Sequence, residues 1–231
     1  MNKTIGYVLV LVVLIGLAFG LYMFVPRVPG VSSNSASTTP ATTATEMRVV
    51  DVYETTSVYK IEAHYPQFGI SATDTKIKAA VDTALMEFKK YPPIPDDSSV
   101  ELNEFTGNFN SVYLGADVIS VALSFSEYTG GAHPNTVIVG VNVDEKTGNE
   151  LTLDDALSLI GKTLPQVSTE SMRQLKVILG EDIIAPEGAD PKPENYDVFL
   201  VGKDKVTFIF NNYQVAPYAA GHQEVWFARV K

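Results

Sequence analysis

The sequence contains no cysteine among its 231 residues, and this absence excludes several kinds of site. Without cysteine the chain can form neither a disulfide framework nor a thiolate metal site, and it cannot carry a cysteine-linked lipid. Its three histidines, His64, His133 and His222, have no second ligand at metal-binding spacing. The sequence therefore predicts no metal and no cofactor.

Sequence signatures of the common catalytic classes are also missing. There is no Gly-x-Ser-x-Gly elbow, no glycine-rich phosphate loop and no dinucleotide fingerprint. Asp154 and Asp155 could be a carboxylate pair for acid–base chemistry, but adjacent residues at a helix start do not face each other. Acidic residues at a helix start cap its N–H groups, so we interpret this pair as structural.

Basic residues are scarce compared with acidic ones. The chain has 17 Lys and Arg against 27 Asp and Glu, a net charge of −10. Setting aside Lys3 and Arg27, which flank an apolar run, leaves 15 basic residues and a charge of −12 on the remainder. This balance excludes nucleic acid and anionic lipid surfaces as partners and favours basic proteins or cations. Acidity also keeps a domain soluble, which is the simpler interpretation for any single charge.

The run from Ile5 to Val25 contains no charged residue. About 20 residues rising 1.5 Å each span a hydrocarbon core of roughly 30 Å, so the run predicts a transmembrane helix. A cleavable signal peptide has a shorter apolar region and a small-x-small site, and here Pro26 and Arg27 follow directly. We expect an uncleaved anchor with the folded part outside the cytoplasm.

These features predict five regions. Residues 1–4 form a short cytoplasmic tail, and residues 5–25 form the anchor. Residues 26–45 are rich in Ser, Thr and Pro and predict a flexible tether. Residues 46–130 and 131–231 are expected to form one compact extracytoplasmic domain.

The folded part mixes two hydrophobic periods. Alternating apolar residues predict a strand over 49–64, a meander of strands over 101–128 and another strand over 137–144. Apolar residues at helical spacing predict an amphipathic helix from Ile77 to Phe88. A second helix is expected over about 164–179. The predicted fold class is α+β, with antiparallel sheet or sheets and two to three packed helices, preceded by one transmembrane helix.

Two loops contain the candidate binding residues. Gly130 and Gly131 precede His133 and allow unusual backbone angles at a loop tip. In the second loop, Tyr213 and Tyr218 lie beside Pro and Gly, a composition that forms rigid aromatic surfaces in many binding sites. The alternative is that both loops are structural, with the histidine in a plain turn and the tyrosines packing on the sheet.

These loops also carry a resemblance. The run Tyr128-Thr-Gly-Gly-Ala-His-Pro-Asn135 and the run Phe210-Asn-Asn-Tyr-Gln-Val-Ala-Pro-Tyr-Ala-Ala-Gly221 resemble an extracytoplasmic domain of unknown function. That domain occurs in the anti-sigma factor RsiV, which binds lysozyme, and in the N-terminal non-catalytic region of the peptidoglycan deacetylase PdaC. The resemblance covers roughly Val49 to Arg229.

The resemblance implies a non-enzymatic binding module that recognises a lysozyme-like cell-wall hydrolase or a wall glycan. The five loop residues Gly130, Gly131, His133, Tyr213 and Tyr218 are then the candidate ligand contacts. Sigma-factor control and deacetylation are not expected, because they need a longer cytoplasmic segment and a further catalytic domain. Two alternatives remain: an envelope enzyme acting on peptidoglycan through His133 and a carboxylate, or an accessory unit of another membrane protein.

Overall fold

The computed structural model describes residues 47–95 and 102–230 of the chain. The predicted cytoplasmic tail, anchor and tether over 1–45 lie outside these residues. Among the described residues, no helix is both long enough and apolar enough to cross a membrane.

The larger sheet has five strands and is mixed. In sheet order these are β1 (Arg48–Thr55), β2 (Tyr59–Gln67), β3 (Asn103–Leu114), β4 (Val118–Tyr128) and β5 (Asn135–Asp144). Neighbouring strands are antiparallel except β2 and β3, which run parallel. The chain between them forms helix α1 (Ser71–Phe88), the kind of crossover that parallel strands require. The predicted α+β class is confirmed, but the prediction of purely antiparallel sheets is wrong for this one.

The single strand predicted over 49–64 is in fact a hairpin of β1 and β2. Thr56 makes the turn between them, since its hydroxyl oxygen accepts hydrogen bonds from the N–H groups of Val58 and Tyr59, both at 3.1 Å. This turn contains neither Gly nor Pro, so its residues resemble those of the strands on either side.

Helix α1 packs on one face of the larger sheet. Ile77, Val81 and Phe88 are buried against apolar side chains of the strands, among them Ile61 and Phe105. Burying a side chain of this size stabilises a fold by about 1.5–3 kcal/mol. Neither Thr73 nor Asp74 caps the helix as such. The N-cap is Ile70, and Asp74 accepts hydrogen bonds from the preceding N–H groups of Phe68 and Gly69 at 2.7 and 3.0 Å.

A second, antiparallel sheet forms the rest of the fold. It consists of β6 (Phe199–Val201), β7 (Lys205–Phe210) and β8 (Gln223–Ala228), in that order, and helices α2 (Leu153–Ile160) and α3 (Leu164–Leu179) pack with it around a shared core. Thr152 and Asp155 form a capping box at the start of α2, as expected for a structural acidic pair. Helix α3 has the bounds that the sequence predicted.

The two sheets meet through a buried polar junction. Ser120 of β4 donates to Asn142 Oδ1 of β5 at 2.6 Å, and Asn142 Nδ2 donates to the Phe199 carbonyl at 2.7 Å. The Val201 N–H is within 3.0 Å of Asn142 Oδ1 and 3.1 Å of Ser120 Oγ. Side chains of the larger sheet thus satisfy backbone groups of β6, and residues 45–231 group into one compact unit.

Candidate functional site

The two candidate loops are neighbours in space. One connects β4 to β5, and the other connects β7 to β8. Asn211, at the start of the second loop, hydrogen bonds to β5 as a neighbouring strand would: its Oδ1 accepts from the Ile138 N–H at 2.7 Å, and its Nδ2 donates to the Ile138 carbonyl at 3.2 Å. This pairing brings residues that are far apart in the sequence to the same end of β5.

Three side chains from these loops form an aromatic cluster: His133, Tyr213 and Tyr218. The imidazole of His133 stacks on the Tyr218 ring with centroids 3.6 Å apart and an interplanar angle of 16°. The Tyr213 ring lies 6.0 Å from the His133 ring and 5.7 Å from the Tyr218 ring. The structure therefore joins three of the five predicted site residues by direct contact.

The hydrogen bonds of His133 match the tautomer of the neutral ring that carries its proton on Nδ1. Nδ1 lies 2.9 Å from the Pro134 carbonyl, which can only accept, so Nδ1 is the protonated nitrogen of the neutral ring. Nε2 is then the acceptor, and the Tyr213 hydroxyl donates to it across 3.0 Å. Both tyrosines thus hold the imidazole, one by stacking and one by a hydrogen bond.

Tyr213 has a backbone conformation that is unusual for a residue with a side chain. Its φ of 65° makes it the one non-glycine residue of the described chain with positive φ. The turn is held by Gln214, whose N–H donates to the Asn211 carbonyl and whose Oε1 accepts from the Asn211 N–H, each at 3.0 Å. Gln214 Nε2 also donates to the carbonyls of Gly188 and Asn195 at 3.0 and 2.9 Å, which fixes the loop to the chain before β6.

The two predicted glycines play different roles. Gly130 has a φ of 87°, in the region that favours glycine, so the turn itself requires it. At Gly131 an added Cβ would meet only the His133 carbonyl oxygen, at an ordinary 3.8 Å. Neither glycine is part of the ring cluster, although both belong to the loop that carries His133.

The cluster lies open to solvent. His133 is exposed, Tyr213 is 53% exposed and Tyr218 is half-buried. The recorded hydrogen-bond partners of His133 are a tyrosine hydroxyl and a backbone carbonyl, so among the described residues no carboxylate orients the ring for acid–base chemistry. Within the described part of the chain there is also no group of three His, Cys, Asp or Glu placed to hold a metal ion. The arrangement presents rings and hydrogen-bonding groups to solvent.

A second surface group was not predicted from the sequence. His64 Nδ1 on β2 lies 2.6 Å from Asp51 Oδ1 on β1, its Nε2 lies 3.4 Å from Glu62, and the Tyr53 ring meets it edge-on at 5.7 Å. The hydrogen bond to Asp51 is the main reason why the pKa of His64 is raised above its ordinary value. Strand alternation in the sequence places Glu62 and His64 on one face of β2. The pairing of β1 with β2 then places Asp51 opposite His64 and Tyr53 opposite Glu62, which the sequence pattern did not predict.

Residues 157–229 match a family described as "Protein of unknown function (DUF3298)". The matched segment contains the end of α2, all of α3 and the whole second sheet, together with Tyr213 and Tyr218. His133 lies outside it.

Two curated proteins resemble larger parts of the chain. It is 25% identical over 171 residues to the peptidoglycan-N-acetylmuramic acid deacetylase PdaC of Bacillus subtilis, a match that covers 72% of this chain and 37% of PdaC. It is 27% identical over 135 residues to the immunogenic protein MPT64 of Mycobacterium tuberculosis, covering 58% of this chain and 59% of MPT64. The chain therefore spans less than two thirds of either relative.

A solved structure supports the fold. A DUF3298-family protein from Bacteroides fragilis superposes with a TM-score of 0.51 at 20% identity, over 79% of this chain and 90% of that one. The resemblance to PdaC that the two loop sequences indicated is confirmed, and the match of residues 157–229 to the DUF3298 model is consistent with a domain shared by the two proteins. The resemblance to RsiV stays a prediction.

Proposed function

We propose that this chain is a non-enzymatic binding module of the bacterial cell envelope. A helix over residues 5–25 holds the domain on the outer side of the membrane, and the domain recognises a basic, wall-active protein of the lysozyme type. The observation that carries the proposal is the aromatic cluster of His133, Tyr213 and Tyr218, which two separate loops build on the surface.

The chemistry of the cluster suits protein recognition. Tyrosine side chains are rigid and amphipathic, and they are enriched among the residues that contribute most to protein interfaces. Here their positions are fixed in advance by the stack on His133 and by the Gln214 anchor, so little side-chain freedom remains to be lost on binding.

The charge of the domain favours a basic partner. With a charge of −12 beyond Arg27, the domain attracts cationic proteins, and opposite potentials raise the association rate. Lysozyme-like hydrolases are basic, and the resemblance to RsiV leads to the same class of ligand. The similarity to PdaC, whose name places it on peptidoglycan, supports a role at the wall.

The test is calorimetric titration of residues 45–231 with a lysozyme at low and at moderate salt. We expect micromolar or tighter binding that weakens as salt rises. We also expect Tyr213→Ala to weaken binding by at least about tenfold, since truncating a central interface aromatic typically costs 1–2 kcal/mol or more.

Tyr113→Ala is the matched control, because Tyr113 is a partly exposed tyrosine on β3, opposite Ser120 and therefore at the end of β4 away from the two loops. It should leave lysozyme binding unchanged. Absence of heat at micromolar protein and low salt would remove the lysozyme proposal, and equal losses from both tyrosine variants would remove the aromatic cluster as its site.

A second candidate ligand is a wall glycan, which the similarity to a peptidoglycan deacetylase favours. The same two variants distinguish it when soluble peptidoglycan fragments replace lysozyme in the titration. Turnover of those fragments by the wild type that is lost in His133→Ala would instead support the enzyme alternative.

A further inference from the structure

Strand β1 forms an outer edge of the larger sheet. All eight of its residues pair with β2, from Arg48 opposite Gln67 to Thr55 opposite Lys60, without a bulge. Alternate residues of a strand direct their N–H and C=O groups to opposite sides, so half of these groups point away from β2. Among the described residues, no group outside β2 hydrogen bonds to the β1 backbone.

The other three edge strands, β5, β6 and β8, each hydrogen bond to a side-chain amide. Asn211 pairs with Ile138 on β5, and Asn142 pairs with Phe199 and Val201 on β6. On β8, Gln174 of helix α3 donates to the Trp226 carbonyl at 3.0 Å and accepts from the Trp226 N–H at 3.1 Å. Each of these three edges has a side-chain amide that occupies a position where another strand would bind.

Strand β1 has only some of the features that usually discourage edge pairing, since Arg48, Asp51 and Glu54 are charged. Its sequence, Arg-Val-Val-Asp-Val-Tyr-Glu-Thr, contains no lysine and no proline, and its register is continuous. Half of its residues are aliphatic or aromatic. An edge that is long, regular and uncovered is a template for an added strand.

The two faces of β1 define what the added strand must carry. On the α1 side, Val50 and Val52 are only partly buried and extend the core to the edge. On the opposite face, Asp51 and the 66% exposed ring of Tyr53 lie beside Glu62. An aliphatic side chain would cover the valines. A cation would meet the Tyr53 ring and the carboxylates of Asp51 and Glu62, which also contact His64 at 2.6 and 3.4 Å.

We propose that β1 is a docking edge for an extended basic peptide segment of a partner protein. The segment adds as an antiparallel strand, with aliphatic side chains over Val50 and Val52 and Lys or Arg side chains over Asp51 and Tyr53. The inference does not depend on the proposed function, because β1 contributes no residue to the aromatic cluster.

The negative charge of the domain favours a basic peptide over a second copy of the chain as the strand that binds to β1. Two copies of this domain each carry a net negative charge, and an antiparallel pair of β1 strands centred on Asp51 would place the two Asp51 residues opposite each other. Like charges on directly opposed strands are destabilising. A basic segment replaces this repulsion by attraction at the same positions.

The test uses the full chain, kept in solution with a mild detergent because of its apolar N-terminal run. The probe is the labelled peptide acetyl-Lys-Val-Lys-Val-Lys-Val-Lys-amide, followed by fluorescence anisotropy, with hydrogen–deuterium exchange of the peptic fragments that cover 47–56. We expect saturable binding and at least a fivefold slowing of exchange in β1 when peptide is bound.

Two control peptides separate strand addition from charge attraction. Replacing the central valine with proline removes a backbone donor and should weaken binding at least tenfold, although the charge is unchanged. Replacing every lysine with glutamate should abolish binding.

On the protein side, Asp51→Lys should weaken binding at least tenfold, whereas Glu194→Lys makes the same charge change at an exposed residue before β6 and should weaken it less than threefold. If the proline peptide bound as tightly as the parent peptide, or if the two variants lost the same affinity, net charge alone would explain the binding. Either result would overturn the proposal. Slow exchange of more than the half of the β1 amides that pair with β2, before any peptide is added, would also overturn it, since another part of the chain or a second copy would then cover the edge.

Discussion

Tyr213 holds a backbone conformation that its own side chain disfavours. At a φ of 65°, a residue with a Cβ loses about 1–2 kcal/mol relative to glycine. The conformation persists because the Gln214 side chain accepts from the Asn211 N–H and donates to the carbonyls of Gly188 and Asn195. Local strain of this kind concentrates at functional sites, where the side chain matters more than the backbone energy.

We therefore predict that Tyr213→Gly separates stability from binding. Relief of strain should leave the free energy of unfolding unchanged or raise it by up to about 1 kcal/mol, after allowance for the extra freedom of glycine in the unfolded chain. Binding of the wall ligand should fall at least about tenfold, because the ring is lost. Urea unfolding and calorimetric titration give the two quantities, and a clear loss of stability would mean that the contacts with His133 outweigh the strain.

At the residue scale, the sequence indicates candidates but not their contacts. Glycines before His133 and the Pro-Tyr run around Tyr218 are recognisable as unusual loop sequences. That the two loops meet depends on Asn211 pairing with Ile138, a contact between an amide and a strand edge that no local pattern encodes. The Asp51–His64 pair was missed for a similar reason, since the turn at Thr56 that creates it has no glycine or proline.

The junction between the sheets depends on a glycine in the middle of a strand. Gly140 of β5 lies directly under β6, and a Cβ built there would be 2.2 Å from the Phe199 carbonyl oxygen. A backbone carbonyl cannot move aside as a flexible side chain would. The same carbonyl accepts the hydrogen bond from Asn142, so moving it would also disturb the polar junction.

Gly140→Ala should accordingly destabilise the domain by at least about 2 kcal/mol, the range seen for overpacking combined with a disturbed buried hydrogen bond. Chemical unfolding followed by circular dichroism measures the change. Gly131→Ala is the control, since its added methyl group meets nothing closer than 3.8 Å and should cost less than about 1 kcal/mol. Equal effects of the two substitutions would contradict this account of how the sheets pack.

The edge of β8 provides a milder test. Gln174→Ala removes both hydrogen bonds to the Trp226 backbone, but water can replace the amide at this exposed position. We expect a loss of about 1 kcal/mol in unfolding free energy and faster amide exchange at Trp226. Gln174→Glu, which keeps one acceptor, should fall between alanine and the wild type. An unchanged exchange rate in the alanine variant would show that the amide does not protect the edge.

At the scale of elements, helices were easier to predict than strand partners. Helix α3 has local features that favour its start, a capping box of Thr163 and Gln166 and a proline in the first turn. The parallel pairing of β2 with β3 depends on where the chain goes after α1. The apolar residues of α1 fix its packing on the sheet but not the side of β2 on which the chain returns.

At the scale of the whole molecule, an ion pair between Arg229 and Asp117 joins the second sheet to the larger sheet. Arg229, just after β8, binds Asp117 in the turn between β3 and β4, and its Nη1 also donates to the Gly202 carbonyl at 3.0 Å. The hydrogen bond from Arg229 is the main reason why the pKa of Asp117 lies below its ordinary 3.8. A carboxyl group whose pKa is lowered by folding adds stability above its unfolded pKa, and this contribution is lost as pH falls through the folded value.

Arg229→Met should therefore destabilise the domain in a pH-dependent way. At pH 7 we expect a loss on the order of 1 kcal/mol, kept small because the Asp117 carboxylate is half-exposed and partly screened by solvent. As pH falls below 3.8, wild type and variant should converge, because protonated Asp117 no longer attracts the guanidinium; the difference that remains reflects the bond to Gly202. Urea unfolding of both proteins from pH 7 to pH 2.5 measures this, with Lys78→Met as the control, since the Lys78–Asp82 pair on α1 is exposed and lies within one helix. If the difference in unfolding free energy between wild type and variant stays constant over this range, Arg229 acts through packing and the Gly202 bond alone. The ion pair then does not stabilise the contact between the two sheets.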